Sequence, residues 1–195
     1  MKLLARRLIG LAVACMPLTA FAHSGDHGES FFAGLGHPLT GLDHLLAMVA
    51  VGMLASRLSG AGRWMLPGSF IAAMIFGCAL AFLSIGLPFV EGLIALSLLA
   101  FGALLCSNRA LPPYLGCAVV ALFGVFHGHA HGSEMSSVSL MTYGAGFVLA
   151  TASLHAVGLL ATLRVEAWTQ QARAFLRVTG GAIAFTGALL LTPLT

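Results

Sequence analysis

The sequence predicts an all-α integral membrane protein, a bundle of six transmembrane helices after a cleavable signal peptide. Three observations carry that expectation. Apolar residues make up 59% of the chain and charged residues 8%, with a mean hydropathy of +0.99. A soluble domain has about a quarter of its residues charged, so this chain has too little polar surface to face water. The apolar residues fall into stretches close to the length a bilayer requires, separated by short loops containing Gly or Pro. Beyond the leader, the arginines fall only in alternate loops, as one consistent orientation demands.

The elements follow in chain order. Residues 1–22 read as a secretory signal. Lys2, Arg6 and Arg7 form its positive region, Leu8 to Met16 its short apolar region, and Ala20-Phe21-Ala22 a small-residue cleavage site. Cleavage there leaves His23 as the mature N-terminus. Residues 23–36 form a short polar segment on the periplasmic side. Residues 37–195 form the membrane domain, with spans expected near Pro38–Ser59, Arg63–Ile85, Pro88–Ser107, Pro112–Gly132, Ser139–Leu163 and Phe175–Leu194. A secreted N-terminus puts the start of the first span outside. The loop of Arg57 and Arg63, then that of Arg109, then that with Arg164, Arg173 and Arg177 in or beside it, therefore face the cytoplasm. This is the positive-inside pattern of a bacterial inner-membrane protein.

Helix packing has its own sequence signature. Gly124, Gly128 and Gly132 recur every fourth residue, as do Ala73, Gly77 and Ala81, and Gly180, Ala184 and Ala188. Small residues at this spacing let backbones approach closely in lipid.

Polar residues intrude at one end of the bundle. The uncharged part of the first span, Leu45 to Ser56, is too short to cross alone, so the helix takes in Asp43 and His44. The third span takes in Glu91, and the fourth is completed by His127 to Gly132. Each ionisable residue at such a depth costs a few kcal/mol unless paired or metal-bound. In the expected topology all three places lie on the outer side.

The fourth span ends Phe126-His127-Gly128-His129-Ala130-His131-Gly132-Ser133-Glu134. His127 and His131 share a helix face, Glu134 continues it, and His129 points away. Imidazole with carboxylate suits divalent transition metals. On the first span, His37-Pro38 precedes Gly41-Leu42-Asp43-His44, with Met48 one turn further on. Pro38 suits a first helical turn, and Gly41 permits a local break. Asp43 is either a ligand or the acceptor that orients a ligand histidine. Met48 is either core packing or a soft donor. His155 lies deep in the fifth span and must face the bundle interior, either as a second relay site or as a bridge to Ser or Thr of another helix. His23 and His27 lie in the polar N-terminal segment. The candidate metal residues are thus His37, Asp43, His44, Glu91, His127, His131, Glu134 and His155.

These residues also carry a resemblance. His37-Pro38-Leu39-Thr40-Gly41-Leu42-Asp43-His44, followed by Met48 and Val51-Gly52, resembles the first signature of the HupE/UreJ nickel permeases. The segment from Phe126 to Glu134 resembles their second, and His155 with Gly158 a third, weaker element. The resemblance covers essentially the whole chain. It implies a secondary carrier, not an enzyme, that takes up Ni2+ or Co2+ for hydrogenase or urease maturation or for cobalamin. The metal would be cargo rather than a permanently bound cofactor, and a homo-oligomer is compatible with this class.

Other classes lack their marks. No GxxxxGK[ST] loop points to an ATPase, and no HExxH to a metalloprotease. Gly132-Ser133-Glu134 does not fit the GxSG-like nucleophile of a membrane serine protease. The basic residues are isolated arginines, so the net charge of +3 is no nucleic-acid footprint. Cys78, Cys106 and Cys117 stand singly in apolar stretches, as buried thiols do. The alternative to transport is a membrane metal sensor or metallocentre assembly factor.

Overall fold

The structure is a computed structural model that describes residues 30–107, 111–134, 140–169 and 171–192. The leader, with Cys15, His23 and His27, lies outside the described residues. Among the described residues seven α-helices follow one another: α1 (Phe31–Gly36), α2 (Leu42–Ser56), α3 (Gly62–Phe82), α4 (Val90–Cys106), α5 (Pro113–Glu134), α6 (Leu140–Trp168) and α7 (Ala172–Leu191). A 3-10 turn, His37–Leu39, joins α1 to α2. The described residues contain no strand.

Among the described residues four helices, α3, α5, α6 and α7, are long and apolar enough to cross a membrane. Phe31–Leu39 and α2 pass the same test together, with a bend of 85° at the break between them. The expected first span is therefore not one straight helix from Pro38. Its break falls at Gly41, which is extended (φ −99°, ψ 117°), so that helical hydrogen bonding restarts with Leu45 N–H donating to the Gly41 carbonyl. A local break at Gly41 was legible; a preceding helix from Phe31 was not. α4 has 17 residues and falls below the length test. α6 runs past the apolar stretch through Arg164 to Trp168, because the amphipathic segment after Leu163 continues the helix.

α2 is the centre of the bundle. Ala47, Met48, Ala50 and Val51 are fully buried, and burial continues through Ser56. A helix buried on all sides must be apolar all round and small enough to be approached closely, which its Ala and Gly content provides. Around it the helices pack through glycines. A Cβ on Gly124 would lie 2.8 Å from the Phe70 carbonyl oxygen, and one on Gly132 2.7 Å from that of Cys78. On Gly128 it would overlap the Met74 carbonyl. The stripe on α5 thus lies directly against α3. Gly52 of α2 meets the His155 carbonyl and Gly158 of α6 meets that of Val49, so α2 and α6 cross at the same closeness. Gly102 of α4 and Gly180 of α7 face one another likewise. The small-residue periodicity therefore marks real crossings.

The outer surface is the reverse of a soluble protein's. Phe76, Leu122, Leu149, Val157, Leu160, Val178 and Phe185 of α3, α5, α6 and α7 are exposed, an apolar surface suited to lipid. Arg57 and Arg63 lie at one end, together with Arg164, Arg173 and Arg177. There Arg57 donates to the Leu104 carbonyl at 2.7 Å and to that of Ser107, satisfying carbonyls that the end of α4 leaves open. Trp64 and Trp168 are exposed at this same end. The histidines of α2 and α5 lie towards the other.

Candidate metal centre

The break before α2 shapes the first part of the site. Gly41 has no side chain, and a Cβ there would stand 2.9 Å from Asp43 Oδ1 and 3.2 Å from His44 Nδ1. That space lets the two side chains fold back beside the helix start. Asp43 Oδ1 accepts from the His44 backbone N–H and from His44 Nδ1, both at 2.8 Å. Asp43 thus stands in the first turn of α2, where the helix dipole favours an anion. Because Nδ1 donates to the carboxylate, the lone pair of the neutral His44 ring is on Nε2. That Nε2 is buried and has no hydrogen-bond partner.

α5 contributes the second part. His127 is fully buried, and its Nδ1 lies 3.0 Å from the Phe123 carbonyl one turn back. A carbonyl can only accept, so this ring also carries its lone pair on Nε2, again without a partner. His131, 4% exposed, has a partner at neither ring nitrogen. The helix register that the sequence predicts for these two residues therefore does put them in one place.

The third part is the 3-10 turn before the break. His37 lies edge-on to His131 with ring centroids 4.7 Å apart, and to Tyr143 at 5.7 Å. His44 lies 4.3 Å from His131 and 5.0 Å from His127. Four imidazoles from the turn, α2 and α5 form one contiguous group, with Phe147 of α6 packed 4.2 Å from His131. As placed, the rings touch each other edge to face, and among the described residues no three donors are gathered closely enough to hold an ion. Binding one requires the imidazoles to turn.

The remaining expected residues stand elsewhere. Glu91 is exposed on the first turn of α4, and no hydrogen bond or ring contact of the group involves it. Glu134 ends α5, and its side chain lies outside what is described. His155 is buried in α6, both nitrogens unpartnered, with its ring 5.3 Å from Phe70 rather than among the other histidines. His129 points away, as its register implies, and its Nε2 donates to the Ile85 carbonyl at 2.9 Å, which ties α5 to the loop after α3. Met48 is fully buried in the core.

Sequence reasoning missed the aromatic wall of Phe70, Tyr143 and Phe147. An aromatic in an apolar helix carries no signal of its own.

Comparison with known proteins bears directly on this arrangement. The family model described as HupE / UreJ protein matches residues 11–190. The chain belongs to the HupE/UreJ family. It is 43% identical over 183 residues to Protein HupE of Rhizobium leguminosarum bv. viciae, across 93% of this chain and 94% of that protein. No solved structure matches. Within this HupE/UreJ protein, both sequence signatures map onto the histidine group: the first supplies the turn, the break and the Asp43–His44 pair, and the second supplies His127 and His131.

Proposed function

We propose that this HupE/UreJ protein is a secondary carrier that takes up a divalent transition metal, Ni2+ foremost, across the bacterial inner membrane. The observation that carries the reading is the set of buried imidazole nitrogens without partners on His44, His127 and His131. A buried polar atom left unpaired costs about 1–3 kcal/mol. Four such nitrogens on three neighbouring rings, drawn from two helices, are explained by a ligand that the rings turn to meet. Neutral imidazoles suit Ni2+ and Co2+ better than hard ions such as Mg2+ or Ca2+.

In this reading the chain crosses six times: the bent pair once, then α3, α4, α5, α6 and α7. The 17-residue α4 is about 25 Å long, a mismatch that local bilayer thinning accommodates. The leader is removed after Ala22, and the histidine end faces the periplasm, since the arginine end faces the cytoplasm. A hydrated ion reaches His37 and exchanges water for His131, His44 and His127. Asp43 orients His44 and its negative charge attracts the cation, while Glu134, in the last turn of α5, adds a second carboxylate. Glu91 stands apart as an acidic group near the same mouth. The ion then passes inward towards His155. No ion is permanently bound.

The test is uptake of radiolabelled Ni2+, Co2+, Zn2+ and Mg2+ by cells expressing the protein, with and without an uncoupler. Saturable accumulation of Ni2+ that Mg2+ does not inhibit is expected. Equal uptake by cells lacking the protein overturns the reading.

A further inference from the structure

His155 and the histidine group share one aromatic neighbour, Phe70. The Phe70 ring is fully buried. Its centroid stands 5.3 Å from that of His127, tilted, and 5.3 Å from that of His155, edge-on. The same phenyl ring thus touches the innermost member of the histidine group and the isolated histidine beyond it. His155 is 2% exposed, and neither of its nitrogens has a partner. Its neighbour one turn along α6, Thr151, is also fully buried and contacts Met74 Sδ at 3.8 Å, one turn along α3 from Phe70. The bridging role open to His155 from the sequence, a bond to Ser or Thr of another helix, is not made.

We infer that Phe70 is a movable shutter between two ion stations, the outer one at His44, His127 and His131 and an inner one at His155. The inference rests on the carrier reading and specifies its path. An apolar ring across a narrow passage excludes water and so blocks a hydrated cation and protons alike. Its movement has one available form. The α3 backbone at Phe70 and Met74 is pressed against Gly124 and Gly128 of α5, and the α6 backbone at His155 against Gly52 of α2. Close backbone packing at these points leaves the side chain as the smaller group to move. Opening is therefore a rotation of the Phe70 side chain, which then lets the ion exchange a His127 nitrogen for one of His155.

The experiment uses full-length protein in two formats. Ni2+ titration in detergent reads the outer station; proteoliposomes with an internal metal dye and an internal pH dye read passage. Phe70→Trp, which enlarges the plug, is expected to lower Ni2+ entry about tenfold or more, and Phe70→Ala to raise proton leak several-fold, both with Ni2+ affinity within about threefold of wild type. His155→Ala is expected to slow entry while leaving that affinity in place. Phe70→Leu keeps apolar bulk and controls for folding. Wild-type entry and leak in both Phe70→Trp and Phe70→Ala would overturn the shutter alone. So would parallel loss of binding and entry in Phe70→Leu and Phe70→Trp, which would make Phe70 a packing residue for the outer site. Failure of the wild type to admit Ni2+ would overturn the carrier reading and the shutter with it.

Discussion

At the scale of single residues, the site depends on which ring nitrogen is left without a hydrogen. Asp43 and the Phe123 carbonyl fix that for His44 and His127 by holding the opposite nitrogen. Asp43→Asn keeps the shape but loses the charge and permits the wrong tautomer. It should lower Ni2+ affinity about 10–100-fold, as loss of an orienting partner does at metal sites, and titration calorimetry measures this. His127→Ala and His131→Ala should each abolish uptake while membrane levels stay normal on immunoblots. His129→Ala should keep most uptake, because its ring serves the Ile85 carbonyl and not the group. Full activity in both His127→Ala and His131→Ala would remove α5 from the mechanism. The pH dependence has a definite sign. A protonated imidazole has no lone pair to offer, so proton and metal compete for the same nitrogens and binding should weaken, never strengthen, as pH falls. The sequence exposes most of this chemistry, since histidines and an aspartate are conspicuous in apolar helices. It leaves Glu91 unplaced, because its position relative to the other helices depends on how α4 packs, which the local sequence does not specify.

At the scale of elements, the glycine crossings carry the argument. Gly52 and Gly158 hold α2 and α6 so close that any added side chain meets a carbonyl. Gly158→Leu should destabilise by about 1–3 kcal/mol or more through overpacking and lower the melting temperature of the purified protein. Gly36, with no atom near its absent side chain, is the matched control and should tolerate Ala. This level was legible where small residues repeat at helical spacing, and the crossings on α5 and α7 fall where that spacing puts them. It was less legible before α2. The α1 segment, FFAGLG, is too short to announce itself by periodicity, and it forms because Ser30 caps it, accepting from the Ala33 N–H at 3.1 Å, and because Gly34 and Gly146 let it lie against α6.

At the scale of the whole molecule, charge and apolar surface together imply an orientation. Reporters active only in the periplasm should be silent when fused after Ser59, Asn108 or Gln170 and active after Ser137 or at Thr195. Inversion at two of these points would reverse the proposed direction of entry. Mass spectrometry of purified protein should find His23 as the first residue. A mature chain that begins elsewhere would refute cleavage after Ala22. The two tryptophans add an optical consequence. Trp64 and Trp168 are the only tryptophans in the chain, and both are exposed at the arginine end. Intrinsic emission therefore comes from a single interface, and a membrane-impermeant quencher such as iodide should dim it from one face of a vesicle only. Right-side-out and inverted vesicles then become distinguishable in a cuvette without any fusion. The same asymmetry leaves the native fluorescence blind to the histidine end, where a Tyr143→Trp variant would place a lamp 5.7 Å from the His37 ring by the native spacing.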